Sequence, residues 1–206
     1  MKKLILSFLL IGTAVLSFAQ PKPDALKLYT SGNYKESVAV CEQELAVNPY
    51  NLDSYAVMCW SLIGNGQYNE AEQRATQARK INPYDVRIME VLGVAKYYLG
   101  KNNEALQMFQ MYIANTPENG SRVGKAYYFM GEIYIRQARF EHADIALTTA
   151  VRTEPLYDAW WARLGYSREM TKDYKGAIAA YDKALALNSA QTDAKLGRQR
   201  CQSKIN

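Results

Sequence analysis

The residue types that carry most enzyme chemistry are thinly spread in this chain. Its single histidine, His142, stands beside Phe140 and Ala143 on what reads as the outer side of a helix. An imidazole works as a general base only when other groups orient it, and no Ser/His/Asp or Cys/His arrangement is present. Cys41, Cys59 and Cys201 are too few for a disulfide framework. Cys41 and Cys59 fall on neighbouring helices, so two readings stay open: buried thiols, or a Cys41–Cys59 disulfide in an oxidising compartment. Gly64-x-Gly66 follows no strand and reads as a turn, not a phosphate loop. The expectation is no catalysis, no cofactor and no metal. What the sequence does offer is recognition chemistry, with 16 tyrosines, 3 tryptophans and 5 phenylalanines interleaved with arginines. Those ring and guanidinium groups are enriched where proteins grip one another.

The elements that must position these rings follow a fixed period. Pro49, Pro83 and Pro117 are each 34 residues apart, Pro155 follows after 38, and Ser189 sits 34 further on. Ser37, Ala71, Ala105, Ala143 and Ala177 keep the same step, as do Tyr34, Tyr68, Asn102, Phe140 and Tyr174. All three tracks slip by four residues at one place, so the chain is five copies of one unit with a single insertion near 118–123. A period of this size marks a solenoid. Each unit reads as a helix pair, because a glycine-containing turn divides it and a proline ends it. Helices are expected near 23–31, 34–47, 52–63, 68–81, 86–99, 103–114, 121–137, 140–152, 158–170 and 174–187. The insertion is about one helical turn long, and is read as slack: an early helix start or a longer loop. Tyr50, Tyr84 and Tyr157 are expected to pack at the junctions between units.

Two stretches carry a family resemblance. They are Trp161-x-x-Leu164-Gly165 with Tyr174-x-x-Ala177-x3-Tyr181-x-x-Ala184, and Met89-x-x-Leu92-Gly93 with Gly100, Ala105, Phe109 and Pro117. With the 34-residue step, they resemble the tetratricopeptide repeat. The resemblance implies an all-α right-handed superhelix of antiparallel helix pairs, with repeats at about 18–51, 52–85, 86–119, 124–157 and 158–191. A solenoid needs its last apolar face covered, and 192–206 reads as the capping helix, with Ala194, Leu196, Cys201 and Ile205 toward the stack.

The resemblance also implies that the first helix of each pair lines a concave groove. Repeat one then offers Tyr29, repeat two Trp60, and repeat three Arg87, Glu90, Tyr97 and Tyr98. Repeat four offers Lys125, Tyr128, Phe129, Glu132 and Arg136, and repeat five Arg163 and Tyr166. Lys96 and Arg168 stand where the family prefers a buried aromatic, which leaves room for Tyr97 to turn inward. The implied function is a scaffold that holds a protein or peptide partner, with Arg87, Arg136 or Arg163 beside the partner's acidic groups. The lysine and asparagine pattern that some members use to clamp a C-terminal carboxylate is not matched.

The remaining readings concern the ends and the charge. Lys2-Lys3, an apolar run over Leu4–Leu16 and Ser17-Phe18-Ala19 read as a secretory signal peptide over 1–19. Its removal lowers the net charge from +5 to +3, so nucleic acid is not an expected partner. An exported, periplasmic protein with no stable membrane insertion is the expectation. No separate cap is read before repeat one, so either that repeat is itself the cap or the end meets something, by homo-oligomerisation or by contact with a transport or outer-membrane assembly complex. Small-ligand binding in the groove is a third alternative.

Overall fold

A computed structural model describes residues 24–206. The signal-peptide reading at 1–19 lies outside the described residues. Eleven helices and no strands make up the described chain. They are α1 (Ala25–Thr30), α2 (Tyr34–Val47), α3 (Leu52–Gly64), α4 (Tyr68–Ile81), α5 (Val86–Tyr98) and α6 (Asn102–Ala114). Then follow α7 (Val123–Arg136), α8 (Phe140–Thr153), α9 (Asp158–Met170), α10 (Tyr174–Leu187) and α11 (Thr192–Ile205).

Local chemistry explains the boundaries. Asn48 and Asn82, each before a proline, are extended at φ −132° and −140°, as the proline ring requires. Asn51 and Asp85 then cap the next helices, accepting bonds from the backbone N–H of Asp53 and Ser54 and of Arg87 and Ile88. Within each pair the turn takes a left-handed residue. Glycine fills that position at Gly32, Gly66 and Gly100, whereas Ala138 (φ 55°) and Lys172 (φ 65°) fill it later in the chain.

The pairs interlock through one large-to-small contact. A Cβ at Gly165 of α9 would come 2.6 Å from the ring of Tyr181 of α10. In repeat two Cys59 occupies the glycine's place, and Ala75 occupies the ring's place. Both are fully buried in one apolar cluster, so the smaller partner makes room for the larger. All three cysteines are free thiols, so the disulfide alternative is not formed.

The odd-numbered helices from α1 to α11 pack on one another in series, whereas the even-numbered ones pack against odd-numbered neighbours and reach one another only through long side chains, as Arg74 of α4 does to Glu42 of α2. The first helices therefore form the inner layer, which is the face that must carry any groove. The capping helix α11 buries Ala194, Gly197 and Cys201, and Arg200 donates to Glu169 of α9 at 2.6 and 2.8 Å. Leu196 and Ile205, expected against the stack, are instead largely exposed. Tyr50 and Tyr84 are likewise exposed and not packed at the junctions. Short turns hold them at the solenoid's edge, where no helix reaches.

The insertion becomes loop, not helix. Residues 115–122 separate α6 from α7, and Arg122 adopts φ 72°, ψ 7° immediately before α7. A left-handed arginine is uncommon. α6 and α7 approach each other less closely than the other consecutive helices do, and a cavity of about 1310 Å³ opens against the loop and the ends of α6 and α8.

Candidate partner-binding surface

The inner face divides into an N-terminal and a C-terminal half. In the first, Trp60 of α3 lies 5.9 Å from Tyr29 of α1, ring centroid to centroid. Trp60 Nε1 donates to Glu90 Oε2 of α5 at 3.1 Å, and Glu90 is only 2% exposed. Arg122 comes across from the loop before α7 to close this group. Its Nη1 donates to both Glu90 oxygens at 3.3 and 3.1 Å, and its Nη2 to Tyr29 OH at 3.2 Å. Its Cζ rests 4.4 Å from the centre of the Trp60 ring. Arg122 is thus bonded to a residue 93 positions earlier. The insertion is not slack.

The C-terminal half is open and aromatic. Tyr128 of α7 stacks on Trp160 of α9 at 5.0 Å, and Tyr157 stacks on the same indole at 4.4 Å. With Tyr98, Phe129, Lys125 and Glu154 these rings bound a cavity of about 360 Å³. Burial, with the Glu132 carboxylate nearby, pushes the Tyr128 phenol above its ordinary value. Lys125 Nζ sits 5.8 Å over the Phe129 ring and forms no ion pair among the described residues. Beyond it, Arg163 Nε donates to Glu132 and its guanidinium lies over Tyr166 at 5.3 Å.

The ten residues singled out from the sequence fare differently. Tyr29, Trp60, Tyr128 and Tyr166 are half-buried on the inner layer, and Tyr98 is 47% exposed there. Tyr97 and Phe129 are 8% and 4% exposed, so they support the surface from beneath. Tyr97 turns inward and meets the Phe129 ring at 4.7 Å, and Phe129 lies parallel to Phe109. The arginines already have partners. Arg87 pairs with Asp53 and Asp85. Arg136 donates to Tyr97 O at 3.0 Å and covers the Tyr97 ring at 3.8 Å. Arg163 is held by Glu132. A partner's acidic groups would compete with internal carboxylates at Arg87 and Arg163, whereas Arg136 has only the Tyr97 carbonyl and the Asn102 side chain as partners.

Two participants escaped the sequence reading. Arg122 lies in the insertion, where the period gives no register. Trp160 precedes Trp161, the residue that fits the repeat motif, and it is Trp160 that is buried at 7%. Tyr157, expected to pack at a junction between repeats, stacks on Trp160 at the start of α9. Among the described residues no group of three or more His, Cys, Asp or Glu is placed to hold a metal ion, and no helix is long and apolar enough to cross a membrane.

Helix pairs stacked in one direction, with their first helices forming a continuous ring-lined inner layer, define a helical-repeat interaction scaffold. Two sequence profiles of the tetratricopeptide repeat match this chain, over residues 62–127 and 128–192. Solved structures agree in fold. MamA is 18% identical with a TM-score of 0.68, over 82% of this chain and 97% of its own. YrrB, described as a TPR protein with an unusual peptide-binding site, is 15% identical with a TM-score of 0.67, over 85% and 88%. TTC0263, a TPR protein of Thermus thermophilus, is 18% identical with a TM-score of 0.64, over 86% and 95%. A search of curated sequences finds no match. The chain is a tetratricopeptide repeat protein, and with that a protein-interaction scaffold in the general sense.

Proposed function

We propose that this protein is an exported scaffold of the bacterial cell envelope that holds a segment of a partner protein along its inner face. One observation carries the reading: the open cavity bounded by Tyr98, Tyr128, Tyr157 and Trp160. Rings stacked on one another and fixed to consecutive repeats offer apolar area that has already lost its conformational freedom, which lowers the ordering cost of binding. An apolar side chain of the partner enters that cavity, and Lys125 at its rim meets the polar backbone or an acidic neighbour. Catalysis has no place in this reading.

A photo-reactive amino acid in place of Tyr98, compared with one in place of Leu26 at the N-terminal edge, tests it in cells. A discrete adduct from position 98 in the periplasmic fraction is the expected result. An adduct from position 26 alone would move the contact to the N-terminal edge, as for a subunit of a larger assembly. Neither adduct, together with a melting shift on addition of a small molecule, would favour a small ligand in the cavity. Failure to recover the protein from the periplasmic fraction would reject export.

A further inference from the structure

In the N-terminal half of the inner face Arg122 covers the ground between Tyr29, Trp60 and Glu90. The group that Arg122 enters has the features of a receptor. Glu90 is buried, and both its oxygens point to one spot. The Trp60 indole holds that carboxylate from one side and offers its face to the guanidinium. Tyr29 OH accepts the remaining Nη2 bond. These three residues stand on three different helices of the rigid inner layer. A carboxylate and an indole face in this arrangement select a planar cation.

The occupant is held differently. Arg122 belongs to a loop, its backbone is left-handed, and the junction behind it is the loose one. A seat filled by a side chain of the same chain is an intramolecular complex, and a free ligand of the same chemistry competes with it against the effective concentration of the tethered group. The cavity of about 540 Å³ beside Trp60 is lined by Asp24, Glu44, Asp53 and Arg87, and Asp53 is paired with Arg87.

We propose that Glu90, Trp60 and Tyr29 form a guanidinium seat, filled by Arg122 in the free protein and by an arginine side chain of the partner segment in the complex. This rests on the partner-binding reading above and gives the partner its chemistry: an apolar residue for the C-terminal cavity and an arginine for the N-terminal seat. Arg122 then sets a threshold, because a segment without arginine cannot displace it.

The test needs no partner protein. An acetyl-Gly-Arg-Gly-amide peptide is titrated against the purified wild-type protein, Arg122→Ala and Arg122→Ala/Glu90→Gln, with the citrulline peptide as the neutral isostere. A short tether competes at an effective concentration near the millimolar range, so Arg122→Ala is expected to bind the arginine peptide about tenfold or more tightly than wild type. The citrulline peptide should not bind, and Glu90→Gln should remove the gain. Equal affinity of wild type and helical Arg122→Ala, or equal binding of citrulline, would overturn the proposal. Should Arg122→Ala lose its helical signal, Arg122→Gln replaces it. The Trp60 indole N–H resonance of wild-type protein must also move at peptide concentrations well above the millimolar range. A resonance that stays fixed likewise overturns the proposal. Peptide binding without a photo-adduct at position 98 would leave the seat intact and reject the partner reading, and the reverse outcome would do the opposite.

Discussion

Gly93 of α5 lies against Phe109 of α6 so closely that a Cβ at Gly93 would come 2.8 Å from a ring carbon. The same two positions in the preceding repeat hold Cys59 and Ala75, both fully buried. Gly93→Ala alone should overpack the contact and destabilise the protein by about 1–3 kcal/mol. Phe109→Ala should cost about 3–5 kcal/mol through the space it leaves. Together they imitate the Cys59–Ala75 solution, so the double variant should be less unstable than the two losses added, by about 1 kcal/mol or more. Denaturant unfolding of the four proteins measures this, and strict additivity would contradict the contact.

Ala138 and Lys172 hold left-handed backbone where Gly32, Gly66 and Gly100 hold it in the earlier repeats. An L-residue gives up about 1 kcal/mol or more in that conformation. Ala138→Gly and Lys172→Gly should therefore raise the melting temperature by a few degrees, and Gly100→Ala should lower it. Calorimetry decides, and a lower melting point for Ala138→Gly would mean that its side chain contributes packing beyond its strain.

Burial pushes the Cys41 and Cys59 thiols up to about 12 and raises Cys201 as well. A thiol that stays protonated at pH 8 is neither nucleophilic nor easily oxidised. A thiol-reactive chromophore should label none of the three quickly in the native protein and all three once guanidinium unfolds it. Rapid native labelling at any one of them would show that its helix opens locally.

Acid should loosen the solenoid at specific joints. Burial alone would raise the Glu72 carboxyl, but hydrogen bonds from Lys101 and Lys96 outweigh it and hold the group below its ordinary value. Burial is outweighed in the same way at Asp85 by Arg87, and at Glu169 by Arg200 and Tyr181. A carboxyl depressed in the folded state adds stability that is fully present above its unfolded value and is lost as pH falls through the folded one. The melting temperature should thus be flat near neutrality and fall below about pH 4. Glu72→Gln should start lower and fall less over that window.

The scaffold was largely legible because period and punctuation act locally. Pro49, Pro83 and Pro117 end helices whatever surrounds them, and α4 spans Tyr68–Ile81 as the pattern requires. The binding surface was less so, because side-chain direction depends on neighbours. Lys96 replaces a buried aromatic and satisfies its charge with Glu72 and Glu104, and Arg168 does so with Asp144. Tyr97, the next residue along α5, then fills the interior. Such compensation leaves no mark in spacing. Arg122 was invisible for a simpler reason, since an insertion is the one place where a repeat makes no statement about position.

The loose α6–α7 junction has a mechanical meaning. A solenoid transmits stress from neighbour to neighbour, so under tension this one should part first between its third and fourth repeats, with each half still folded. Arg122, rooted at the start of α7 and seated among α1, α3 and α5, ties the fourth repeat back to the first three across that junction.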